Sequence, residues 1–139
     1  MANILIVKAN NRPDGISTKM YEAFVEEASQ LEGVTLSTFD VFEEDMPYFG
    51  QTLFDAFGKI QNGEKLNSEE AALMAAKQKA MDAITAADVV VWAFPLWNLT
   101  IPATLQTFID YTFAAGFSFK YSPEGALIGL LNDKKTIIL

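Results

Sequence analysis

The sequence predicts an α/β fold, a parallel sheet with helices on both faces, and three observations carry that expectation. First, Ile4 to Ala9 and Val89 to Phe94 are nearly continuous apolar runs, broken only by Lys8 in the first. Such runs read as strands buried on both faces, because a half-exposed strand alternates apolar with polar residues. Second, stretches with helical spacing lie between the strand-like ones. Third, turn residues cluster where strands end, as at Asn10-Asn11-Arg12-Pro13-Asp14-Gly15 and between Pro95 and Pro102.

Taken in order, the first strand and its turn-rich loop lead into a helix from Ser17, with Met20, Phe24, Val25, Ala28 and Leu31 as its apolar stripe and Gly33 as its stop. Val34 to Val41 alternates loosely, which suits a strand nearer the sheet edge. Phe42 to Gly63 reads as irregular, with Pro47, Gly50, Gly58 and Gly63 as breakers and Phe49, Phe54 and Phe57 as anchors. Asn67-Ser68-Glu69-Glu70 has the spacing of a capping box, opening a helix with Leu73, Ala76, Ala80, Met81 and Ile84 on its buried side.

The strand Val89 to Phe94 follows. Pro95 ends its ladder because proline has no N–H to donate, and Pro102 suits the start of the next helix, Ala103 to Ala115, with Leu105, Phe108, Ile109 and Thr112 on one side and Gly116 as C-cap. Phe117 to Gly129 reads as a second long loop, and Lys134 to Leu139 as a fourth strand. With right-handed crossovers this order gives one domain, residues 1–139, and a strand order of 2-1-3-4.

Composition narrows the function. Eighteen acidic residues against ten basic give a net charge of −8, which disfavours phosphate backbones and anionic lipid, so neither nucleic acid nor membrane is an expected partner. No apolar run approaches a membrane span and no secretory signal opens the chain, so a cytoplasmic protein is expected. The chain has no cysteine and no histidine. It therefore lacks a thiol nucleophile, the usual general base and the commonest metal ligand, and chemistry carried by a bound cofactor rises in rank.

Two strand-end loops are the candidate sites. In Asn10 to Thr18, the free N–H groups of a helix start and the hydroxyls of Ser17 and Thr18 suit a phosphate; ordinary helix capping explains the same residues. Neither Gly-x-Gly-x-x-Gly nor Gly-x-x-x-x-Gly-Lys-Ser/Thr is present. In Pro95 to Thr100, Trp97 and Asn98 offer an aromatic contact and an amide to a planar heterocycle, or Trp97 is packing at the loop base. Phe117, Phe119 and Tyr121 are core anchors or a substrate wall. The acidic run Glu43-Glu44-Asp45 reads as a solvated face and no metal is expected.

Phe94-Pro95-Leu96-Trp97-Asn98-Leu99-Thr100-Ile101-Pro102-Ala103, with Ile109-Asp110-Tyr111 and Ala115 to Gly125, closely resembles the FMN-dependent NADH:azoreductases, which also reduce quinones. The likeness extends through Val7 to Pro13 and Ser17-Thr18-Lys19, so it covers essentially the whole chain. It implies a flavodoxin-like three-layer sandwich, a homodimer completing the active site, FMN as cofactor and NADH as electron donor. NADH would reduce the flavin and depart, and an azo compound or quinone would collect the electrons. By position, Pro95, Leu96, Trp97, Asn98 and Leu99 resemble the loop along the flavin ring. Asn10, Ser17 and Lys19 fall where the family holds the phosphate, with Thr18 beside them, and Phe119 and Tyr121 fall near the substrate side. No side chain is assigned a catalytic role, since the flavin carries the chemistry.

The family pattern runs beyond the fourth strand into an Asn-x-Arg-Gly-Gly-like loop, a fifth strand and a final helix. The sequence thus resembles roughly the first two-thirds of the family domain. On that reading the last strand becomes a sheet edge, a lone monomer is not expected to persist well folded, and FMN is expected to be weakly bound or absent. The rival reading is a catalytically silent flavodoxin-like fragment that serves only in assembly or interaction.

Overall fold

Alternate residues of the first strand belong to opposite faces, and two separate apolar clusters follow from that period of two. In the computed structural model, which describes residues 1–139, this strand is β1 (Ala2–Lys8). It is followed by α1 (Ile16–Ala28), β2 (Val34–Asp40), α2 (Gln51–Gln61), α3 (Ser68–Ala86), β3 (Val89–Ala93), α4 (Ala103–Thr112), β4 (Phe119–Tyr121), β5 (Leu127–Gly129) and β6 (Lys135–Ile138). The main sheet is parallel throughout, in the order β2-β1-β3-β6, which is the expected 2-1-3-4 arrangement. Ile6 stands level with Thr38 on one side and Val91 on the other.

On one face, Leu5, Val7, Phe39 and Val90 pack against α2, α3 and α4 through Leu53, Leu73, Ile84, Leu105, Phe108 and Tyr111. Phe108 meets Phe39 edge-on at 4.9 Å. On the other face, Ile4, Ile6, Val91 and Ala93 are covered by Tyr21, Phe24 and Val25 of α1. β2 is the exposed strand that its alternation implied, and β6 forms the opposite edge, with Ile138 69% exposed.

Four expectations are corrected. The Phe42 to Gly63 segment contains α2, which buries Leu53 and Ala56 at a spacing of three and ties Gln51 to Asp55 (2.8 Å) one turn on. Gly50 and Gly63 flank this helix, and Gly58 inside it costs only about 1 kcal/mol relative to alanine. Phe117 to Gly129 contains the β4–β5 hairpin, with Phe119 opposite Gly129 and Tyr121 opposite Leu127. Its turn has Pro123 at the second position and Gly125 at φ +83°, a left-handed conformation glycine adopts without strain. α4 stops at Thr112, because Ser118 Oγ takes the Ala114 N–H (3.0 Å); Gly116 serves the turn into β4 instead of the cap. On α1, Met20 and Leu31 are exposed, and the inward stripe is Thr18, Tyr21, Phe24, Val25 and Ala28 at helical spacing.

The capping box of α3 is present. Asn67 Oδ1 accepts the Glu70 N–H (2.8 Å), Glu70 Oε2 accepts the Asn67 N–H (2.9 Å), and Lys59 Nζ of α2 donates to the same buried carboxylate (2.7 Å). At the other end of α3, Lys134 Nζ donates to the Ala87 carbonyl (2.7 Å). Buried Tyr111 of α4 donates its hydroxyl to the Pro47 carbonyl, and burial, with Asp45 nearby, pushes the phenol up to about 12. No helix is long and apolar enough to cross a membrane.

Candidate functional site

The carboxyl ends of β1 and β3 lie side by side, so the loops leaving them must face each other across the sheet edge. Between them opens a cleft of about 500 Å³. One wall is built by Asn10, Arg12 and the start of α1, the other by Phe94, Pro95, Leu96 and Trp97.

The first wall is rigid because each backbone turn is held. Lys8 Nζ donates to the Asn10 carbonyl (2.8 Å) and to Asp40 Oδ2 (3.0 Å), below the Tyr21 ring. The Arg12 carbonyl accepts the Gly15 N–H (3.0 Å) and the Thr18 hydroxyl (2.7 Å). A Cβ on Gly15 would lie 3.2 Å from that carbonyl, so the chain turns here most easily with glycine. The Arg12 guanidinium pairs with Asp14 (2.8 Å) and holds its carboxyl below the usual range.

α1 then starts at Ile16 with no side-chain cap and no acidic residue in its first turn. Its leading N–H groups have no partner within the helix, and its dipole points positive into the cleft. Asn10, 2% exposed, donates Nδ2 to Ser17 Oγ (3.0 Å), which leaves the serine proton free to donate. Asn10 Oδ1 is buried without a partner. An unsatisfied buried acceptor costs about 1–3 kcal/mol, and a donor on a ligand would remove that cost.

The second wall leaves β3 at Pro95, where the ladder stops. Trp97 to Thr100 closes a turn in which the Thr100 N–H meets the Trp97 carbonyl (3.1 Å), with Asn98 at φ 53° and Leu99 at φ 66°. Two consecutive positive φ values are the type I′ pattern. Asparagine tolerates it; Leu99, 95% exposed, accepts about 1–2 kcal/mol of strain with no packing in return.

Asn10, Ser17, Thr18, Pro95, Leu96 and Trp97 are therefore brought to one cleft. Asn98 lines a neighbouring cleft of about 590 Å³ with Tyr48 and Gln106, and Leu99 points to solvent. Lys19 lies on the exposed side of α1 and lines neither. Phe119 and Tyr121 stand on the hairpin, Phe119 stacked on Phe113 at 4.4 Å and edge-on to Tyr121 at 5.6 Å. Arg12, Asp14, Gly15 and Ile16 of the Asn10 to Thr18 loop also line it, and Met20, Phe94 and Leu139 join from outside the two candidate loops. Gly15, before a helix start, carried a sequence signal; Leu139 gave none, since only the pairing of β6 brings it there.

Chemically, the cleft offers N–H and O–H donors at one end, one orphaned acceptor, and an apolar, partly aromatic wall. Its titratable groups, Arg12 and Asp14, neutralise each other, so it has no general base. This donor set fits a planar molecule carrying a phosphate.

Comparison with known proteins identifies the fold and its relatives. The family described as having the flavodoxin-like fold matches residues 2–139. The FMN-dependent NADH:quinone oxidoreductase 3 of Bacillus cereus is 44% identical over 142 residues, which span 100% of this chain and 68% of that protein. The crystal structure of an azoreductase from Bacillus anthracis superimposes with a TM-score of 0.89 at 43% identity, covering 99% of this chain and 67% of that one. A second Bacillus anthracis structure, an FMN-dependent NADH-azoreductase in complex with FMN, shares the fold with a TM-score of 0.89 at 24% identity, covering 99% of this chain and 68% of that one.

Proposed function

The chain belongs to the family with the flavodoxin-like fold, and from that premise we propose that it is an FMN-dependent oxidoreductase that moves electrons from NADH to quinones and azo compounds. The observation that carries this reading is the pairing of an open helix start, beside the orphaned Asn10 Oδ1, with the Phe94 to Trp97 wall. Bound FMN would supply the redox chemistry that a chain without histidine or cysteine cannot. The leading N–H groups of α1 and the Ser17 hydroxyl hold the phosphate, while Thr18, whose hydroxyl is committed to the Arg12 carbonyl, fixes the turn beneath it and Lys19 adds charge beyond the first turn. Asn10 receives a donor from the cofactor. Pro95, Leu96 and Trp97 flank the ring and keep water from it.

Phe119 and Tyr121 face the acceptor from a second subunit. Supporting a homodimer are the exposed Tyr48, Phe54, Phe113 and Tyr121, more aromatic surface than a monomer of this size ordinarily leaves in water. The closing test is reconstitution. The purified chain mixed with FMN should retain a yellow complex that bleaches with NADH and recolours with a quinone. Asn10→Ala should weaken FMN about tenfold, the worth of one hydrogen bond to a buried partner. A protein that takes up no FMN, or holds it equally after Asn10→Ala, removes this reading of the cleft.

A further inference from the structure

Helix α3 carries a lysine where its inward stripe calls for an apolar residue. Leu73, Lys77, Ala80 and Ile84 share that stripe, and Lys77 is only 6% exposed. The ion pairs of the molecule use Lys8, Arg12, Lys59, Lys79 and Lys134, and Lys77 takes part in none. Its Nζ donates to Met81 Sδ at 3.0 Å, a weak acceptor for one of three N–H groups. Burial pushes this ammonium below the ordinary lysine range. A lysine that merely packed its stem would carry its head out to water, and a methionine in its place would avoid the desolvation altogether.

Lys77 and Met81 line a cavity of about 570 Å³ whose other walls include Phe49, Phe57, Phe113, Phe117 and Asp110. That volume suits a small organic molecule. Asp110 is already engaged, accepting from Gln106 Nε2 at 2.8 Å. The cavity shares no residue with the cleft between Asn10 and Trp97.

We propose that this cavity binds a small aromatic monoanion, an aryl carboxylate, with the carboxylate on Lys77 Nζ and the ring among the four phenylalanines. The carboxylate gives the buried ammonium the charged acceptor it lacks, and the rings offer edge and face contacts to a flat apolar body. Asp110 on the same wall repels a second negative charge, so monoanions are preferred to dianions.

Calorimetric titration of the full chain with naphthoate and its neutral analogue naphthamide, each with and without saturating FMN, tests this. The acid should bind about tenfold or more tightly than the amide, as a charged hydrogen bond in a partly desolvated site provides. FMN should not displace it. Lys77→Met should abolish the preference for the acid while melting no lower than the parent, because a buried unpaired charge is removed. Asp110→Asn, at a site that does not risk the core, should strengthen naphthoate. Equal binding of acid and amide, displacement by FMN, or naphthoate affinity unchanged in both variants would overturn the proposal. So would a Lys77→Met variant that shifts the monomer–dimer balance in sedimentation yet binds naphthoate as before, since the lysine would then serve a carboxylate of a second copy. Apart from the FMN competition, none of these readouts depends on the flavin cleft working.

Discussion

Helices α1 and α3 begin in opposite ways. At α3 the chain satisfies the helix start itself: Asn67 and Glu70 exchange hydrogen bonds across the first turn, and Lys59 from α2 neutralises the carboxylate. At α1 there is no side-chain cap and no acidic residue in the first turn, and the buried Asn10 side chain that donates to Ser17 has an oxygen without a partner. Both helices need their leading N–H groups satisfied. A start closed by its own side chains serves stability, whereas one left open beside an aromatic wall is arranged for an anion that arrives from outside.

The largest effect should come from making α1 resemble α3. Gly15→Asp places a carboxylate where Gly15, in extended backbone at φ −71°, now leaves α1 uncapped. It should lower FMN affinity about a hundredfold, through lost charged hydrogen bonds and like-charge repulsion. The melting temperature should change little, since the favoured Asp cap is offset by a Cβ only 3.2 Å from the Arg12 carbonyl. An unaltered FMN titration would mean that the phosphate does not use this helix start.

The reverse change is smaller. Asn67→Ala opens α3 and should cost about 1 kcal/mol in chemical denaturation while leaving FMN binding untouched. A drop in FMN affinity would show that the two ends are coupled and the contrast between them is false.

Smallest is the charge of Glu70 alone. Glu70→Gln keeps a side chain able to bond back to the Asn67 N–H, but loses the pair with Lys59. The Lys59 hydrogen bond, with that of Asn67, holds the Glu70 carboxyl below its ordinary 4.5. Its contribution is therefore full above that value and is lost as the pH falls through the lowered folded pKa. Stability curves of parent and variant should differ at neutral pH and converge in acid. A constant gap across the range would remove the ion pair from the account.

What was legible in the sequence follows the same division. The parallel order could be read because Ile4 to Val7 and Val89 to Val91 are apolar without interruption, and the closed start of α3 because its residues sit within four positions. α2 was hidden because glycines at positions 50, 58 and 63 mark loops by composition, while the helix is held by burying Leu53 and Ala56 against distant elements. The β4–β5 hairpin was hidden because its three-residue strands are too short to show a period. Of the cleft, each wall could be found as a strand-end loop. The orphaned Asn10 oxygen, the Arg12 to Asp14 pair and the burial of Lys77 depend on what folds against them, and no local spacing records that.

The Tyr111 contact gives the fold an optical gauge. Its hydroxyl ties α4 to the Pro47 carbonyl, and its proton is held to about 12 where an ordinary phenol releases it at 10.0. Between those values an unfolded chain sheds this proton and the folded one keeps it, so the stability due to this group declines as the pH rises through that interval. Ultraviolet absorbance of tyrosinate thus separates the two states without any added dye: a late step belongs to molecules in which α4 still grips the Asp45 to Pro47 segment. Chromophore and clasp are the same side chain, so release of that contact is read directly in the ultraviolet spectrum.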